Sequence, residues 1–442
     1  MKKALCGLLV PVLLAAAALP ARAQEKLTLK ECVDLALRNS PALKIAEESV
    51  TGAALKVDEA RSQLYPQVSL SGSYTRMTLV QELQLSFMGQ TFNMKFGLAD
   101  NYNFTASVAE PLFAWGRVRK TIELSRTGVE LAQTGQDLAR QALSYQVAPL
   151  FYGVLFFQEA IQVLDDSIAA FDKKTKIMTE RYQAGLASSF DAMSLQVQVS
   201  SLKAQRLDFE NNIRKLTIAF NTLAGRPAET PFRPAGEFEF TPLPLDREAL
   251  VASALAQRVE FSQLGHQSRM TELGIDIAKA AGKPSLVLAA NYNFRNGYMP
   301  NIERITGNFM ATLSLNYPLF DGFRTGAQVA EGESSLRAIA LQRQSLEQTV
   351  RMEIYTGLSD LQTIARKADI ETVKIKQAED ALRIAEDRYR QGLMSAQDYI
   401  DSQNNLEAAK LSYLQLVYGH ILGTYNIYRS SGKRIADRLT GS

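Results

Sequence analysis

The sequence contains little cysteine, histidine or tryptophan: two, two and one, respectively, in 442 residues. Cys6 lies in an N-terminal segment that is expected to be removed, so Cys32 remains alone and no disulfide can form within the mature chain. Neither His266 nor His420 has a neighbouring Cys, Asp or Glu at metal-ligand spacing, and no phosphate-binding loop or Gly-x-Ser-x-Gly motif occurs. These absences leave no basis for a catalytic, cofactor or metal site, and we expect a protein that is not an enzyme.

Basic and acidic residues are also balanced once the N-terminal segment is set aside. Lys2 and Lys3 precede an apolar stretch, and a small-residue site at 21–23 completes the pattern of a secretory signal over residues 1–23. The alternative, a membrane anchor, would need a longer apolar stretch. Lys2, Lys3 and Arg22 leave with the signal, so 46 basic residues face 46 acidic ones. A neutral mature chain gives no support to nucleic-acid binding.

Long hydrophobic runs are missing from the mature sequence. The longest candidate, 147–157, has eleven residues and includes Pro149 and Gly153, which is too short for a helix that spans a bilayer. An exported chain of this kind is therefore expected to meet a membrane through strands or through a partner.

Four segments alternate between apolar and polar residues over about ten positions each, near 68–74, 102–108, 286–294 and 309–317. Their polar positions hold mainly Ser, Thr and Asn, which suits a water-filled lumen on one face and lipid on the other. For any single segment the alternative is a half-buried sheet of a soluble protein. Four strands cannot close a barrel in lipid, so several copies are required; two give about eight strands, and three give about twelve with room for a bore.

A long internal repeat organises the chain. Two six-residue motifs begin at 181 and 388, which are 207 positions apart, and Pro111-Leu112-Phe113 recurs at the same offset as 318–320. The corresponding motif residues are Arg181, Tyr182, Gly185 and Leu186 in the first copy and Arg388, Tyr389, Gly392 and Leu393 in the second. A repeat of this length indicates a duplicated architecture of two similar halves.

Each half is predicted to hold a helix, a β-hairpin, a long helix to a tip, and a return helix. The first repeat covers 24–225, with its hairpin at about 66–112 and its tip at 181–191. The second covers 245–432, with its hairpin at about 284–319 and its tip at 388–398. A connector rich in Pro and Phe, 226–244, is expected to be an extended crossing in a belt around the helices, and 433–442 is expected to be a solvated tail.

The helices and loops of the two halves are predicted from periodicity. The first helices are expected at about 29–64 and 246–281, and a loop over 77–100 accounts for eleven extra residues in the first half. The segments from Phe113 to Tyr182 and from Phe320 to Tyr389 each span 69 positions. Both have apolar residues at the three- and four-residue spacing of a helix. A continuous helix of that length would span about 100 Å, as in a coiled-coil-like wall. Pro149 is expected to bend the first long helix.

Each tip joins a long helix to its return helix. Gly185 and Gly392 can adopt the left-handed conformation that ends a helix, and Leu186 and Leu393 follow them directly. An exposed leucine beside a glycine turn indicates a docking point, whereas a leucine that packs under its own turn is structural. The sequence favours neither interpretation.

Together these features resemble the TolC-like outer membrane efflux proteins. The resemblance rests on the order and spacing of the signal, the segments 27–32 and 36–41, the strand entries Tyr65-Pro66 and Lys283-Pro284, the two Pro-Leu-Phe exits and the two tips. It implies an α+β membrane protein in which three chains, with four strands each, form a twelve-stranded β-barrel in the outer membrane. The barrel would continue as a long α-helical coiled-coil tunnel into the periplasm.

The resemblance also implies a function and partners. The homotrimer would be the exit duct of a tripartite efflux pump, moving small molecules across the outer membrane. Its partners would be a periplasmic adaptor that docks at the tips, an inner-membrane transporter of the RND or ABC type, and outer-membrane lipid, with no cofactor.

A gate is implied at the second tip. Asp398 and Asp401 would line the periplasmic constriction, where three copies place six carboxylates that favour cations. Tyr389 and Asp191 match a closed-state latch of the family, but Met394 stands where its arginine would be, so the latch is expected to be weaker or built differently. From the residues alone, Asp398 is interpreted as a helix cap and Asp401 as a solvated surface charge.

Two other functions stay open. The same channel could be the outer-membrane component of a type I protein secretion system, because the duct does not choose the cargo. The long helices alone would also suit a periplasmic coiled-coil scaffold or adaptor, although four strands with polar lumen-facing positions favour the channel.

Overall fold

The computed structural model describes residues 26–80, 82–95, 97–185, 187–241, 246–298 and 302–433. The predicted signal over 1–23, the tip residue Leu186 and the predicted tail beyond Lys433 lie outside the described residues.

The two halves of the chain have matching orders of helices and strands. The first half contains β1 (Lys26–Leu27), α1 (Leu29–Asn39), α2 (Pro41–Ser62), β2 (Gln67–Arg76), β3 (Glu82–Phe87), β4 (Gln90–Lys95), β5 (Asp100–Phe113), α3 (Arg117–Gln183) and α4 (Ser189–Leu223). The second half contains β6 (Arg233–Pro234), α5 (Arg247–Gln257), α6 (Val259–Ala281), β7 (Ser285–Arg295), β8 (Thr306–Asn316), α7 (Arg324–Arg390) and α8 (Ala396–Ser430). α3 and α7 each have 67 residues, and α4 and α8 each have 35.

The chain forms two compact units. The tip unit lies within Met1–Asn39, Gln146–Pro242 and Thr363–Leu422, and the sheet unit within Ser40–Tyr145, Leu243–Gln362 and Gly423–Ser442. In the tip unit, α3, α4, α7 and α8 share a core in which Phe171, Leu195 and Tyr399 are fully buried. In the sheet unit, α7 packs on α5 and α8 through a core that includes Val350 and Ile354.

The four predicted membrane strands form one antiparallel sheet in the order β2-β5-β7-β8. One row across all four strands is polar and consists of Ser71, Thr105, Asn293 and Asn308. The adjacent row is apolar and consists of Leu70, Ala106, Tyr292 and Phe309. Alternate rows therefore place polar and apolar residues on opposite faces, as the sequence pattern predicts.

The apolar face of this sheet is uncovered in the single chain. Leu70 is 80% exposed and Phe309 is 65% exposed. Among the described residues, the edge strands β2 and β8 each have only one neighbour in the sheet. Open edges in lipid leave backbone groups unpaired at a cost of several kcal/mol each, so this sheet is complete only when further copies pair with both edges.

The long loop predicted over 77–100 is wrong, because it contains a second hairpin. β3 and β4 pair antiparallel, with Glu82 opposite Lys95. The turn residues Met88 and Gly89 have φ values of 51° and 79°, which match the two-residue turns favoured in hairpins. Methionine is not a residue that marks such a turn, so the sequence carries no clear signal for this hairpin.

The predicted single helices at 29–64 and 246–281 are also wrong, because each is divided in two. Ser40 has a ψ of 124° and precedes Pro41, whose ring disfavours a helical conformation at the preceding residue. Arg258 is extended at ψ 126° without a proline after it. Its guanidinium donates to Glu260 at 2.6 Å and to Glu353 of α7 at 2.7 Å. The local bond to Glu260 and the tertiary bond to Glu353 favour the break.

A turn with two left-handed residues joins strand to helix in both halves. The pairs Trp115-Gly116 and Gly322-Phe323 have positive φ values and lie 207 positions apart. Trp115 Nε1 donates to the Pro284 carbonyl at 2.7 Å, which links this turn to the start of β7. The side chain of Trp115 is 45% exposed, so it is not a core residue of the single chain.

Of the described helices, α3 alone contains an 18-residue stretch apolar enough to cross a membrane by length and composition. Phe151, Val154 and Leu164 of this helix are fully or almost fully buried within the chain, and 44% of the apolar stretch is buried. Pro149 lies inside α3 and does not end it, and the predicted bend there stays a prediction.

Candidate functional site: the paired helix tips

The second tip is closed by two backbone hydrogen bonds around a left-handed glycine. Gly392 has a φ of 76° and its N–H donates to the Tyr389 carbonyl at 3.1 Å. The Leu393 N–H donates to the Arg388 carbonyl at 2.9 Å. This pair of bonds satisfies carbonyls that α7 would otherwise leave unpaired. Leu393 is 72% exposed, so it does not pack under its own turn.

The first tip has the same glycine geometry. Gly185 has a φ of 75°, and its N–H donates to the Tyr182 carbonyl at 2.9 Å. Tyr182 is about half exposed. Both predicted left-handed turns are thus present, and in each the chain leaves a long helix at the same point of the repeated motif.

The two return helices begin with serine caps. The Phe190 N–H donates to Ser188 Oγ at 3.1 Å, and the Asp398 N–H donates to Ser395 Oγ at 3.1 Å. Ser395 Oγ donates in turn to an Asp398 carboxylate oxygen at 2.7 Å. Asp398 therefore lies in the first turn of α8, where its negative charge interacts favourably with the positive end of the helix dipole.

The predicted constriction residues are both exposed in the single chain. Asp401 follows Asp398 by three positions, so the two carboxylates lie on one face of α8. Asp401 accepts a hydrogen bond from Gln397 Nε2 at 2.9 Å. Neither carboxylate forms an ion pair with another described residue. The interpretation of Asp398 as the helix cap is wrong, because Ser395 caps α8 and Asp398 lies in its first turn. This position is compatible with a carboxylate ring, which stays a prediction.

Tyr389 lies in the core of the tip unit and not at its surface. It is 8% exposed, and its ring stacks on Tyr399 with the ring centroids 5.2 Å apart and the planes at 17°. Its hydroxyl is buried and has no hydrogen-bond partner among the described residues. Burial raises the pKa of Tyr389, as does the nearby charge of Asp191, whereas Arg181 lowers that pKa.

The two residues that the family latch would join, Tyr389 and Asp191, are not hydrogen-bonded within one chain. Met394, at the position of the latch arginine, packs against the apolar core around Tyr389. The latch hydrogen bond is therefore not formed here within one chain.

Tyr399 joins the long helices beneath the tips. It is fully buried and makes an edge contact with Phe171 of α3, with the ring centroids 6.0 Å apart. Lys174 of α3 lies 5.1 Å from the centre of the Tyr399 ring and forms an ion pair with Glu386 of α7 at 3.4 Å. These contacts hold the ends of α3, α7 and α8 together. No sequence motif indicates them, because they join residues that are far apart in the chain.

A buried carboxyl group lies deeper in the same unit. Glu407 of α8 is 8% exposed, and its Oε2 has no hydrogen-bond partner among the described residues. Burial raises the pKa of Glu407, and a hydrogen bond with Ser167 only partly opposes this rise. The sequence pattern places Glu407 among ordinary helix-face charges, so its burial is a finding of the structure.

A family model described as outer membrane efflux protein matches residues 32–226 and 250–420 of the chain. The chain is 21% identical over 420 residues to the toluene efflux pump outer membrane protein TtgC of Pseudomonas putida, covering 91% of this chain and 82% of that protein. It is 24% identical over 390 residues to the multidrug resistance outer membrane protein MdtQ of Escherichia coli, covering 83% and 77%. It is 20% identical over 409 residues to the outer membrane protein TolC of Vibrio cholerae, covering 91% and 90%.

Solved structures with the same fold cover almost the whole chain. CusC superposes with a TM-score of 0.74 at 16% identity and covers 94% of this chain and 96% of its own. VceC of Vibrio cholerae superposes with a TM-score of 0.72 at 17% identity, covering 92% and 96%. Both are described as a channel or an outer membrane protein, so the chain has the fold of these proteins.

Proposed function

The chain belongs to the outer membrane efflux protein family, whose model matches most of its length, and we propose that it is the exit duct of a tripartite efflux pump. The family is one of channel proteins of the outer membrane, and the proposed role is transport without catalysis. Small molecules would enter from the periplasm or from an inner-membrane transporter of the RND or ABC type. Residues 1–23 would direct export.

The observation that carries this proposal is the incomplete sheet. In the part of the chain that the structure describes, β2 and β8 lack an outer neighbour, and polar and apolar rows alternate across all four strands. Strands of 10 to 14 residues are long enough to cross a bilayer when tilted. Three copies pair β2 of each chain with β8 of the next and close a twelve-stranded barrel. The repeats 24–225 and 245–432 each supply two of the four strands.

The tips are the proposed docking points for a periplasmic adaptor. Leu393 is 72% exposed on a turn whose conformation is set by Gly392, so a partner meets a preformed apolar knob. Arg181, Tyr182, Gly185 and Leu186 of the first tip and Arg388 of the second would complete the docking surface. Three chains with two tips each offer six such points.

The second tip also supplies the proposed constriction. Asp398 and Asp401 are exposed on one face of α8, and six carboxylates from three chains would favour cations over anions. Met394 at the position of the latch arginine and the buried Tyr389 hydroxyl support a latch of Tyr389 and Asp191 that is weaker than the one in the family or built differently.

Small-molecule efflux is preferred to type I protein secretion as the cargo class. Two relatives are named for toluene efflux and for multidrug resistance, and neither name refers to protein cargo. A periplasmic scaffold is disfavoured, since it has no use for a sheet with an exposed apolar face.

Photo-cross-linking in cells tests the docking proposal. A photoreactive amino acid at Leu393 should capture one periplasmic adaptor, whereas the same group at the exposed Lys376, several turns up α7, should not. Loss of the adaptor, or of this protein, should then raise sensitivity to the same set of toxic small molecules. Equal capture at both positions, or unequal sensitivities, would contradict the proposal.

A further inference from the structure

A cationic cavity lies beside the two tips, between the last turns of α3 and α7 in the tip unit. Its volume is about 460 Å³, which is in the range of small-ligand sites. The charged residues that line it are Lys173, Lys174, Arg181, Arg390 and one acidic residue, Glu386.

The positive charge of this cavity is only partly neutralised. Lys174 forms an ion pair with Glu386 at 3.4 Å. Arg390 forms one at 3.4 Å with Asp387, which lies three positions before it on α7. Lys173 and Arg181 form no ion pair with another described residue. Two cations therefore remain to attract an anion.

Tyr389 also lines the cavity, but its hydroxyl is sealed from it, because the hydroxyl oxygen has almost no accessible surface. A ligand in the cavity therefore meets the two unpaired cations, Lys173 and Arg181, and not this hydroxyl. Two unpaired cations favour a carboxylate ligand.

We propose that this cavity binds a carboxylate side chain of the periplasmic partner that docks on the tips. The inference rests on the proposed function, because it assumes that a partner seats there. Arg181 belongs to the first tip motif, and Arg390 follows Tyr389 in the second, so the cavity is continuous with the docking surface.

A partner side chain is favoured over a free carboxylate ion as the source. A free ion must lose its translational freedom on binding, whereas a side chain on a docked protein is already held at high local concentration. The cavity is also large enough for several side chains of a docked loop.

The test uses the full-length trimer in detergent and the purified adaptor that cross-links at Leu393. Lys173→Glu should weaken adaptor binding about tenfold or more, because it reverses an unpaired charge in the cavity. Lys176→Glu makes the same charge change on an exposed lysine of α3 that does not line the cavity, and it should change the affinity less than about twofold. Affinity is measured by biolayer interferometry.

Tyr389→Phe is a control within the cavity lining. It removes the hydroxyl but retains the ring that stacks on Tyr399, so thermal stability should not fall. Adaptor affinity should change less than about twofold, because the hydroxyl is sealed from the cavity.

The outcomes separate this inference from the proposed function. Unchanged affinity in Lys173→Glu, with normal binding by the wild type, would overturn the cavity and leave the docking role intact. Equal losses in Lys173→Glu and Lys176→Glu would show only a general surface charge effect. An adaptor that does not bind the wild-type trimer would contradict the docking role itself. Sodium succinate is the probe for a free ion: saturable binding that does not compete with the adaptor would assign the cavity to a soluble anion and overturn the inference.

Discussion

Replacing Tyr399 with alanine should loosen the end of the helical bundle. Its ring is fully buried, stacks on Tyr389, meets the edge of Phe171 and lies under Lys174. Truncation of a buried aromatic to alanine costs about 3–5 kcal/mol, and the stacked pair accounts for about 1 kcal/mol of this. Tyr399→Phe keeps all of these ring contacts. Since the Tyr399 hydroxyl is buried without a partner, its removal should cost less than about 1 kcal/mol or be stabilising.

Hydrogen exchange of the trimer measures this difference locally. Amides at the start of α8 should exchange about a hundredfold faster or more in Tyr399→Ala, because opening of the tip becomes easier by that free energy. Tyr182→Ala, at an exposed tyrosine of the first tip, is the matched control and should have little effect on the exchange rate. If Tyr399→Phe accelerated exchange as much as Tyr399→Ala, the hydroxyl would have to be hydrogen-bonded and the packing argument would be refuted.

Three further predictions concern the gate, the buried acid and the glycine turn. Replacing Asp398 and Asp401 with alanine should weaken the block of single-channel current by multivalent cations, and an unchanged block would move the constriction elsewhere. Glu407→Gln should stabilise the protein at neutral pH but not at pH 4. Burial raises the pKa of Glu407 in the folded protein above its ordinary value of 4.5. The wild type therefore loses stability as the pH rises above 4.5 and the buried carboxyl group ionises, whereas the Gln variant does not. Parallel pH profiles of thermal stability for the two proteins would contradict this. Gly392→Ala should lower the free energy of unfolding by about 1–2 kcal/mol because of the positive φ at this position. No other described atom lies within 4 Å of the added Cβ, so no steric clash adds to this loss. Gly225→Ala should cost more, because a backbone carbonyl lies 2.7 Å away, and equal losses of thermal stability would refute the comparison.

The strands and the tip turns could be predicted because their causes are local. A two-residue period places Ser71 and Leu70 on opposite faces wherever the strand pairs, and the paired rows across the sheet follow from it. Gly185 and Gly392 lie where each long helix must end, and glycine adopts the required positive φ without steric cost.

One missed feature has a local cause, because Pro41 alone could have predicted the division of 29–64 at Ser40. The other missed features have no clear local signal. The break at Arg258 has no proline to mark it and is favoured by bonds to Glu260 and to Glu353, 95 positions away. The hairpin at Met88-Gly89 uses a residue that rarely marks such turns. The stack of Tyr389 on Tyr399 and the adjacent cavity form only when α3, α7 and α8 pack together, so no spacing in the sequence indicates them.

The central claim is that three copies of the chain close a barrel. Its most direct test is whether β2 of one chain pairs with β8 of the neighbouring chain. In a Cys32→Ser background, a cysteine at Ser71 of β2 is combined in turn with one at Thr312, Ser314 or Asn316 of β8, all on the polar side of the sheet. At least one combination should give a covalent trimer on oxidation in outer-membrane fractions, whereas Ser71→Cys alone should not. Monomers in every combination, recovered in the soluble periplasmic fraction, would contradict the account.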